Sequence, residues 1–230
     1  MRCAVMWSGG KDSALAADRA RRSGVEIACL VNFYDVATGR VRFHATRTEL
    51  IAAQADAIGV PLVQHGTTWP GFEPAFLDTL RALARDGVEG IVFGDIHLAD
   101  VRAWYETRVR AAGLEHVEPL WGGDPSELLG EFVASGARAV VTCCESEKLD
   151  ESWLGRVIDE RFVREIASVP IDPCGENGEY HSFAFAGPLF SRALPHATEE
   201  RRSDGRFVQL DIVPLEPRIA MPPRAHSALS

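Results

Sequence analysis

The sequence predicts an α/β fold: a mainly parallel sheet with helices on both faces, joined to a smaller C-terminal α+β domain. Short apolar runs alternate along the chain with longer helical patterns, and this order favours right-handed crossovers between parallel strands. The chain has 230 residues, of which 46% are hydrophobic, which is enough apolar material for one large and one small core.

The predicted elements follow these runs in chain order. Cys3–Trp7 is a continuous apolar run and predicts the first strand, and the helix after it, 12–23, has Leu15 and several alanines for one buried side. Later strands are predicted on similar apolar runs, and helices on the longer segments between them. These strands are Val25–Phe33, Pro61–His65, Gly90–Phe93 and Ala137–Cys143, with Val41–His44 as a short addition, and the helices are 46–58, 72–86, 99–113, 125–135 and 151–167.

A change of domain is predicted at Pro119–Pro125, where proline and glycine cluster after the fifth alternating unit. We therefore divide the chain into an N-terminal domain, residues 1–122, and a second domain, residues 123–214. Residues 215–230 are rich in proline and small residues and lack periodicity, so we expect a loose tail there.

Composition argues against several classes of function. The formal net charge of −9 disfavours a nonspecific nucleic-acid surface, because phosphate contacts depend on clustered Lys and Arg. Five cysteines, with an adjacent pair at Cys143–Cys144 and no CxxC spacing, indicate neither a disulfide framework nor a zinc ribbon, and fit a reducing cytoplasm. There is no cationic leader and no run of about 18 apolar residues, so we expect neither export nor a membrane span.

The hexapeptide Ser8–Ser13, Ser-Gly-Gly-Lys-Asp-Ser, lies between the first strand and the first helix and predicts a phosphate-binding loop. The adjacent glycines Gly9 and Gly10 let a ligand approach the main chain closely. The loop ends at a helix N-terminus that attracts anions, and Lys11, which we expect to be exposed, adds a cation. The alternative is an ordinary strand-to-helix turn. The patterns GxxxxGK[ST] and GxGxxG do not apply, because their glycines are separated.

Two further polar groups lie at the ends of predicted strands. Asn32–Asp35 ends the second strand, and Gly94–His97 follows the fourth. In open parallel sheets ligands bind outside the carboxyl ends of the strands, so we expect these groups and the loop on one rim. Asp95 is a candidate for contact with a cation or substrate, although capping of the next helix would explain it equally well. We interpret His44 and His97 as structural or rim residues.

A second motif, Cys174–Ser182, concentrates two glycines, two carboxylates, a thiol, an amide and an imidazole directly before an alternating aromatic pattern. Loops beside a rigid strand often position binding or catalytic groups. The alternative is a hairpin turn in which Glu176 and Glu179 are solvated and His181 packs on the sheet. We expect Cys174 to be packed rather than reactive.

These motifs resemble a known family. The loop resembles the SGGxDS pyrophosphatase loop of the adenine nucleotide alpha hydrolase superfamily, whose members split ATP between the α and β phosphates. The motifs SGGKDS, FGDI, PLW, WLGR and DPCGENGEYHSF occur in the order seen in diphthine–ammonia ligase-like ATP-binding proteins. This resemblance covers about residues 1–190 and implies a Rossmann-like (HUP-type) ATP-binding domain followed by a substrate-recognition domain.

The resemblance also implies the ligands and the site. ATP and Mg²⁺ are the implied cofactors, and the loop and the Cys174–Ser182 segment are expected to open onto one cleft. Glu176 and Glu179 are suited to bind ammonium, and one of them or His181 takes a proton; no metal site made by the protein alone is expected. The implied nucleotide-binding residues are Ser8, Gly9, Gly10, Lys11, Asp12 and Ser13, the catalytic ones Lys11, Glu176, Glu179 and His181, and the substrate-binding ones Asp95, Gly175, Asn177, Gly178 and Tyr180.

The implied reaction is AMP-forming amidation of a carboxylate by ammonia. In the family the acceptor is diphthine on elongation factor 2; in a host that lacks diphthine it would be a small molecule or another protein. Two alternatives remain, a non-catalytic ATP or AMP sensor and a PP-loop tRNA-modifying enzyme, and the second is disfavoured by the acidic charge and the missing CxxC motifs. A homodimer is compatible with the sequence, whereas partners in the membrane or among nucleic acids are not expected.

Overall fold

The computed structural model describes residues 1–42 and 45–215. His44, the end of the predicted strand Val41–His44 and the predicted tail beyond residue 215 lie outside the described residues.

The N-terminal half alternates strands and helices, as predicted. One sheet contains the parallel strands in the order β4-β2-β1-β5-β6, and β3 pairs antiparallel with the end of β2. The strands are β1 (Arg2–Met6), β2 (Glu26–Asp35), β3 (Arg40–Val41), β4 (Leu62–Thr67), β5 (Gly90–Val92) and β6 (Glu115–Val117), and the helices are α1 (Lys11–Arg22), α2 (Thr48–Ile58), α3 (Phe72–Arg85) and α4 (Ala99–Ala111).

Helices cover both faces of this sheet, which confirms the predicted fold class. Leu15 of α1 and Ile51 of α2 pack in one buried cluster, whereas Phe76 of α3 and Val109 of α4 pack in another. Parallel strands buried on both faces are expected to be continuously apolar, as β1 is after its first residue, Arg2. This burial fixes β1, and with it the loop that follows β1.

The C-terminal half is built on an antiparallel sheet with the order β8-β7-β10-β9. Its elements are α5 (Pro125–Ala134), β7 (Arg138–Glu145), a 3-10 turn (Glu151–Trp153), α6 (Glu160–Ile166), β8 (Tyr180–Ala186), β9 (His196–Ser203) and β10 (Phe207–Pro214).

Two predictions about this half need correction. The predicted strand Ala137–Cys143 is β7, which belongs to the antiparallel sheet and not to the parallel one. The predicted helix 151–167 is a 3-10 turn and the separate helix α6. Gly155, with a φ of 77°, interrupts the segment, and the side chain of Asp159 caps a new start by accepting a hydrogen bond from Phe162 N at 2.8 Å.

The two halves are joined by buried contacts. Asp211 of β10 is buried, and its carboxylate accepts paired hydrogen bonds from Arg40 and Arg47 at 2.7 to 3.0 Å. Burial alone would raise the pKa of Asp211, but the hydrogen bonds and charges of Arg47 and Arg40 together outweigh it and lower this pKa. Within the described residues, no helix has the length and apolar character that crossing a bilayer requires.

Candidate functional site

A cleft of about 430 Å³ lies outside the carboxyl ends of β1, β2 and β5. Its volume is in the range of small-molecule sites. It confirms the prediction that the loop after β1 and the Cys174–Ser182 segment open onto one cleft. From the loop, Ser8, Lys11, Asp12 and Ser13 line it, and from the second segment Gly175, Glu176, Tyr180, His181 and Ser182 do.

The loop has the backbone that its glycines predict. Gly9 has a φ of 85°, and a Cβ at this position would meet Ile51 Cδ1 at 2.5 Å and Gln54 Oε1 at 2.8 Å. A side chain is therefore excluded both by conformation and by space. Gly10, the N-cap of α1, has no side chain, so the cap leaves room for a ligand at the start of the helix.

The first turn of α1 is held in place from two sides. Lys11 N donates to Ser182 Oγ of β8 at 3.1 Å, and Ser13 Oγ donates to Gly10 O at 3.0 Å. Gly94 packs against the same turn, since a Cβ there would lie 3.0 Å from Ser13 N. The side chains of Ser8 and Ser13 thereby line the cleft beside the N-terminus of α1, and a helix N-terminus carries a partial positive charge.

Lys11 is not the exposed loop residue that the sequence predicts. It is 3% exposed, and its Nζ donates to Asp12 Oδ2 at 2.8 Å and to the carbonyl of Cys174, and lies 4.8 Å from the ring centre of Tyr180. Burial disfavours the charged form, but the charge and hydrogen bond of Asp12, together with Tyr180 and Cys174, outweigh it and raise the pKa of Lys11. Lys11 is therefore a charged link between the loop and the second motif.

The two glutamates of the second motif face different surroundings. Glu176 lines the cleft and accepts a hydrogen bond from Ile96 N at 2.8 Å. Glu179 is 5% exposed and accepts from Asp172 N, Asn177 N and Asn177 Nδ2 at 3.0 to 3.2 Å. Glu179 thus holds the turn together and does not line the cleft.

Three carboxylates near the cleft hold protons unusually tightly. Burial raises the pKa of Asp95 to about 7, with a further contribution from the charges of Glu118 and Asp12. Burial likewise raises the pKa of Glu176 to about 7. The hydrogen bond from Ile96 N lowers this pKa, and the charges of Asp12 and Asp95 raise it further. Glu118, paired with Arg102 at 2.7 Å, also has a pKa raised to about 7, mainly by burial. Groups with a pKa near 7 suit proton transfer at neutral pH.

The remaining predicted residues divide between the cleft and the turn. Gly175 has a φ of 70°, and a Cβ there would meet Tyr180 Cδ1 at 2.7 Å, so glycine is required. Asp95, Gly175, Tyr180 and His181 line the cleft, whereas Asn177 and Gly178 lie outside its lining, as do the buried loop glycines Gly9 and Gly10. Burial raises the pKa of the Cys174 thiol, which fits the packing role predicted for it.

The chain matches two family models. Residues 1–116 match the one described as the diphthamide synthase N-terminal domain, and residues 124–212 match the one described as the diphthamide synthase C-terminal domain. The chain belongs to the diphthamide synthase family.

Several curated relatives of this member of the diphthamide synthase family are named diphthine–ammonia ligase. The one from Bos taurus is 26% identical over 219 residues, 84% of this chain and 82% of its own. The one from Homo sapiens is 27% identical over 219 residues with the same coverage, 84% and 82%. A solved structure described as a predicted subunit of tRNA methyltransferase from Methanocaldococcus jannaschii covers 82% of this chain and 98% of its own, at 16% identity and a TM-score of 0.43. That similarity is too low to add to the argument.

Three features of the site in this diphthamide synthase family member were missed by the sequence reasoning. Arg42 and Trp69 line the cleft, where the guanidinium lies 5.4 Å from the centre of the tryptophan ring. Trp69 is 67% exposed. Gln54 contacts the loop from α2, and Glu118 approaches Asp95 from the segment after β6. These residues stand in no motif, so only the tertiary structure could identify them.

Proposed function

We propose that this protein is an ATP-dependent, AMP-forming ligase that adenylates a carboxylate and then amidates it with ammonia. The observation that supports this most is the shared cleft, where an anion-binding helix N-terminus and the carboxylate of Glu176 line the same space. An acyl group activated at the loop is then within reach of a nucleophile held beside Glu176.

The first step is supported by the loop. A carboxylate oxygen attacks the α phosphorus of ATP, the bond from that phosphorus to the oxygen bridging to the β phosphorus breaks, and pyrophosphate leaves. Negative charge grows on the pyrophosphate, and donors that are already oriented stabilise it without reorganisation. The backbone at the start of α1 supplies such donors, Ser8 and Ser13 line the cleft beside it, and the buried charge of Lys11 adds to the positive potential.

Mg²⁺ fits the residues of this cleft as an ion held jointly by substrate phosphates and one or two carboxylates. No group of three or more His, Cys, Asp or Glu side chains is arranged around a metal position in the part of the chain that the structure describes. Mg²⁺ commonly takes one or two carboxylates together with substrate phosphates and water, and Asp12 and Asp95 are the carboxylates that fit this role. When bound, the ion would neutralise phosphate charge.

The second step is supported by Glu176. The ionised carboxylate attracts ammonium and accepts one of its protons, and the lone pair of the resulting ammonia attacks the acyl carbon as AMP leaves. A pKa of about 7 leaves Glu176 largely ionised just above neutral pH while it remains a useful base. His181, which also lines the cleft, is a second candidate for the proton.

The acceptor is proposed as a carboxylate, and diphthine is the candidate that the names of the curated relatives provide. The test is incubation with ATP, ammonium and either diphthine-bearing elongation factor 2 or a panel of small carboxylates. The expected products are AMP, pyrophosphate and an amide in equal amounts. Formation of ADP, or ATP binding without turnover on every acceptor, would contradict the ligase and favour another nucleotide-dependent activity or a sensor.

A further inference from the structure

Gln54 of α2 is a fully buried amide whose bonds converge on the anion-binding loop. It has 0% exposure. Its Oε1 accepts from Trp7 Nε1 at 2.8 Å, and its Nε2 donates to Gly9 O at 2.9 Å and to Ala184 O at 2.6 Å. Both N–H groups and the carbonyl of the amide are therefore satisfied, as a buried polar group requires.

The three partners of Gln54 belong to three different segments that meet at the site. Trp7 ends the run from β1, Gly9 is in the loop, and Ala184 is in β8 of the antiparallel sheet. Ala184 N also donates to Gly9 O at 2.8 Å, so that one carbonyl receives two hydrogen bonds from the protein interior. An amide placed only to fill the core has no need to collect partners from these three segments.

The orientation of one peptide group follows from these bonds. In a planar trans peptide the C=O and the next N–H point in opposite directions. Because Gly9 O is held toward Gln54 and Ala184, the N–H of Gly10 is directed to the other side, where it donates to the cleft-lining Ser8 Oγ at 3.3 Å. Without the amide, Gly9 would lose one of the two bonds that hold its carbonyl inward, and glycine has little conformational resistance to turning.

We propose that Gln54 is a positioning residue that orients the Gly9–Gly10 peptide for phosphate binding and couples this orientation to β8. The inference rests on the proposed function, since ATP is the ligand whose phosphates the loop would hold. Gln54 touches no substrate in this role and acts through the loop.

The test compares Gln54→Met, which keeps the length of the side chain but none of its hydrogen bonds, with Gln54→Glu. The control is Leu50→Ala on the same helix, a buried residue that packs with Val140 and Phe183 rather than with the loop. Affinities for ATP and for pyrophosphate are measured by calorimetry, at a temperature at which all variants are folded, together with KM and kcat.

Gln54→Met is expected to weaken the binding of both ATP and pyrophosphate at least tenfold, and to raise the KM for ATP more than it lowers kcat. Leu50→Ala, at a comparable loss of Tm, is expected to change either affinity less than about twofold. Gln54→Glu is expected to bind ATP and pyrophosphate weakly at pH 8 and with nearly the wild-type affinity near pH 6, because a protonated buried carboxyl again donates to Gly9 O. This recovery, expressed relative to the wild type at each pH, is not expected of a residue that only fills space.

The inference is overturned if Gln54→Met binds ATP no worse than Leu50→Ala, or, should Gln54→Met not fold, if the affinity of Gln54→Glu relative to the wild type does not change with pH. Failure of the proposed function is seen in the wild-type protein instead, which would then either bind no ATP or bind it without forming AMP and pyrophosphate on any acceptor.

Discussion

The cleft side and the buried side of the Cys174–Ser182 segment use the same residue type for opposite purposes. On the cleft side, Glu176 accepts a hydrogen bond from Ile96 N, and its pKa is raised to about 7 by burial. On the buried side, Glu179 accepts three hydrogen bonds from its own turn. The two glutamates are three residues apart.

This difference shows how hydrogen-bond supply separates a reactive carboxylate from a structural one. A carboxylate surrounded by donors is fixed in place and has little capacity left for a ligand. A partly buried carboxylate with few donors holds its proton more tightly and can exchange it near neutral pH. Glu176 has the second environment and Glu179 the first.

The largest effect is expected at Glu176. Glu176→Gln should lower kcat for AMP formation by about 10²-fold or more, since general bases typically contribute 10² to 10⁴. The rise of wild-type kcat with pH, with a midpoint near 7, should be absent in the variant. Affinity for ATP and Tm should be close to the wild type.

The matched control for Glu176→Gln is Glu127→Gln, an exposed position at the start of α5, and it should leave kcat unchanged. A Glu176→Gln enzyme with full turnover would show that the cleft-facing carboxylate is not the base, and would move attention to His181.

Glu179→Gln should mainly affect stability. One carboxylate oxygen is replaced by an amide that donates, so at least one of the three N–H groups of the turn loses its acceptor, at a cost of about 1 to 3 kcal/mol. Tm should fall, and any loss of turnover should diminish as the temperature is lowered. A 10²-fold loss of kcat with an unchanged Tm would place Glu179 in the chemistry after all.

Much of the parallel half was predictable because its signals are local. The apolar run that became β1, the glycines of the loop and the helical pattern of α1 are all contiguous in sequence, and the structure differs from their predicted bounds by a residue or two. The meeting of the loop with Glu176 was predicted from the motif order of the family rather than from either segment alone.

The unpredicted parts depend on contacts between distant residues. β9 is a highly charged and largely exposed strand whose residues show no apolar alternation, so its partnership with β10 leaves no sequence signal. Lys11 was expected to be exposed because loop lysines usually are. It is buried instead, and its Nζ contacts the carbonyl of Cys174, 163 positions away in the sequence. The role of Gln54 could not be predicted from the sequence either, because its hydrogen-bond partners lie in three separate segments.

The free energy of unfolding of an Asp95 variant tests the environment on the cleft side. Its pKa is raised from 3.8 to about 7, so between these values the unfolded chain is ionised while the folded protein retains the proton, and stability falls as the pH rises. Asp95→Asn removes this loss and should increase the free energy of unfolding by about 1 to 3 kcal/mol above pH 7, with little gain near pH 4. Urea unfolding across this range is the measurement. A gain of equal size at every pH would show that the carboxylate is not held protonated.

The smallest effect is expected at Cys174, the remaining reactive group of the segment. Its thiol is 2% exposed, and its sulfur lies 3.1 Å from the carbonyl of Pro125, so it is neither accessible nor readily ionised. Cys174→Ala should reduce kcat less than about threefold and stability by about 1 kcal/mol, the usual scale for a small buried deletion, because the backbone carbonyl that Lys11 contacts remains. The wild-type enzyme should also resist thiol alkylation under native conditions. If the variant instead folds normally but loses turnover, the buried side of the segment contributes a reacting atom, and the division between its two sides fails.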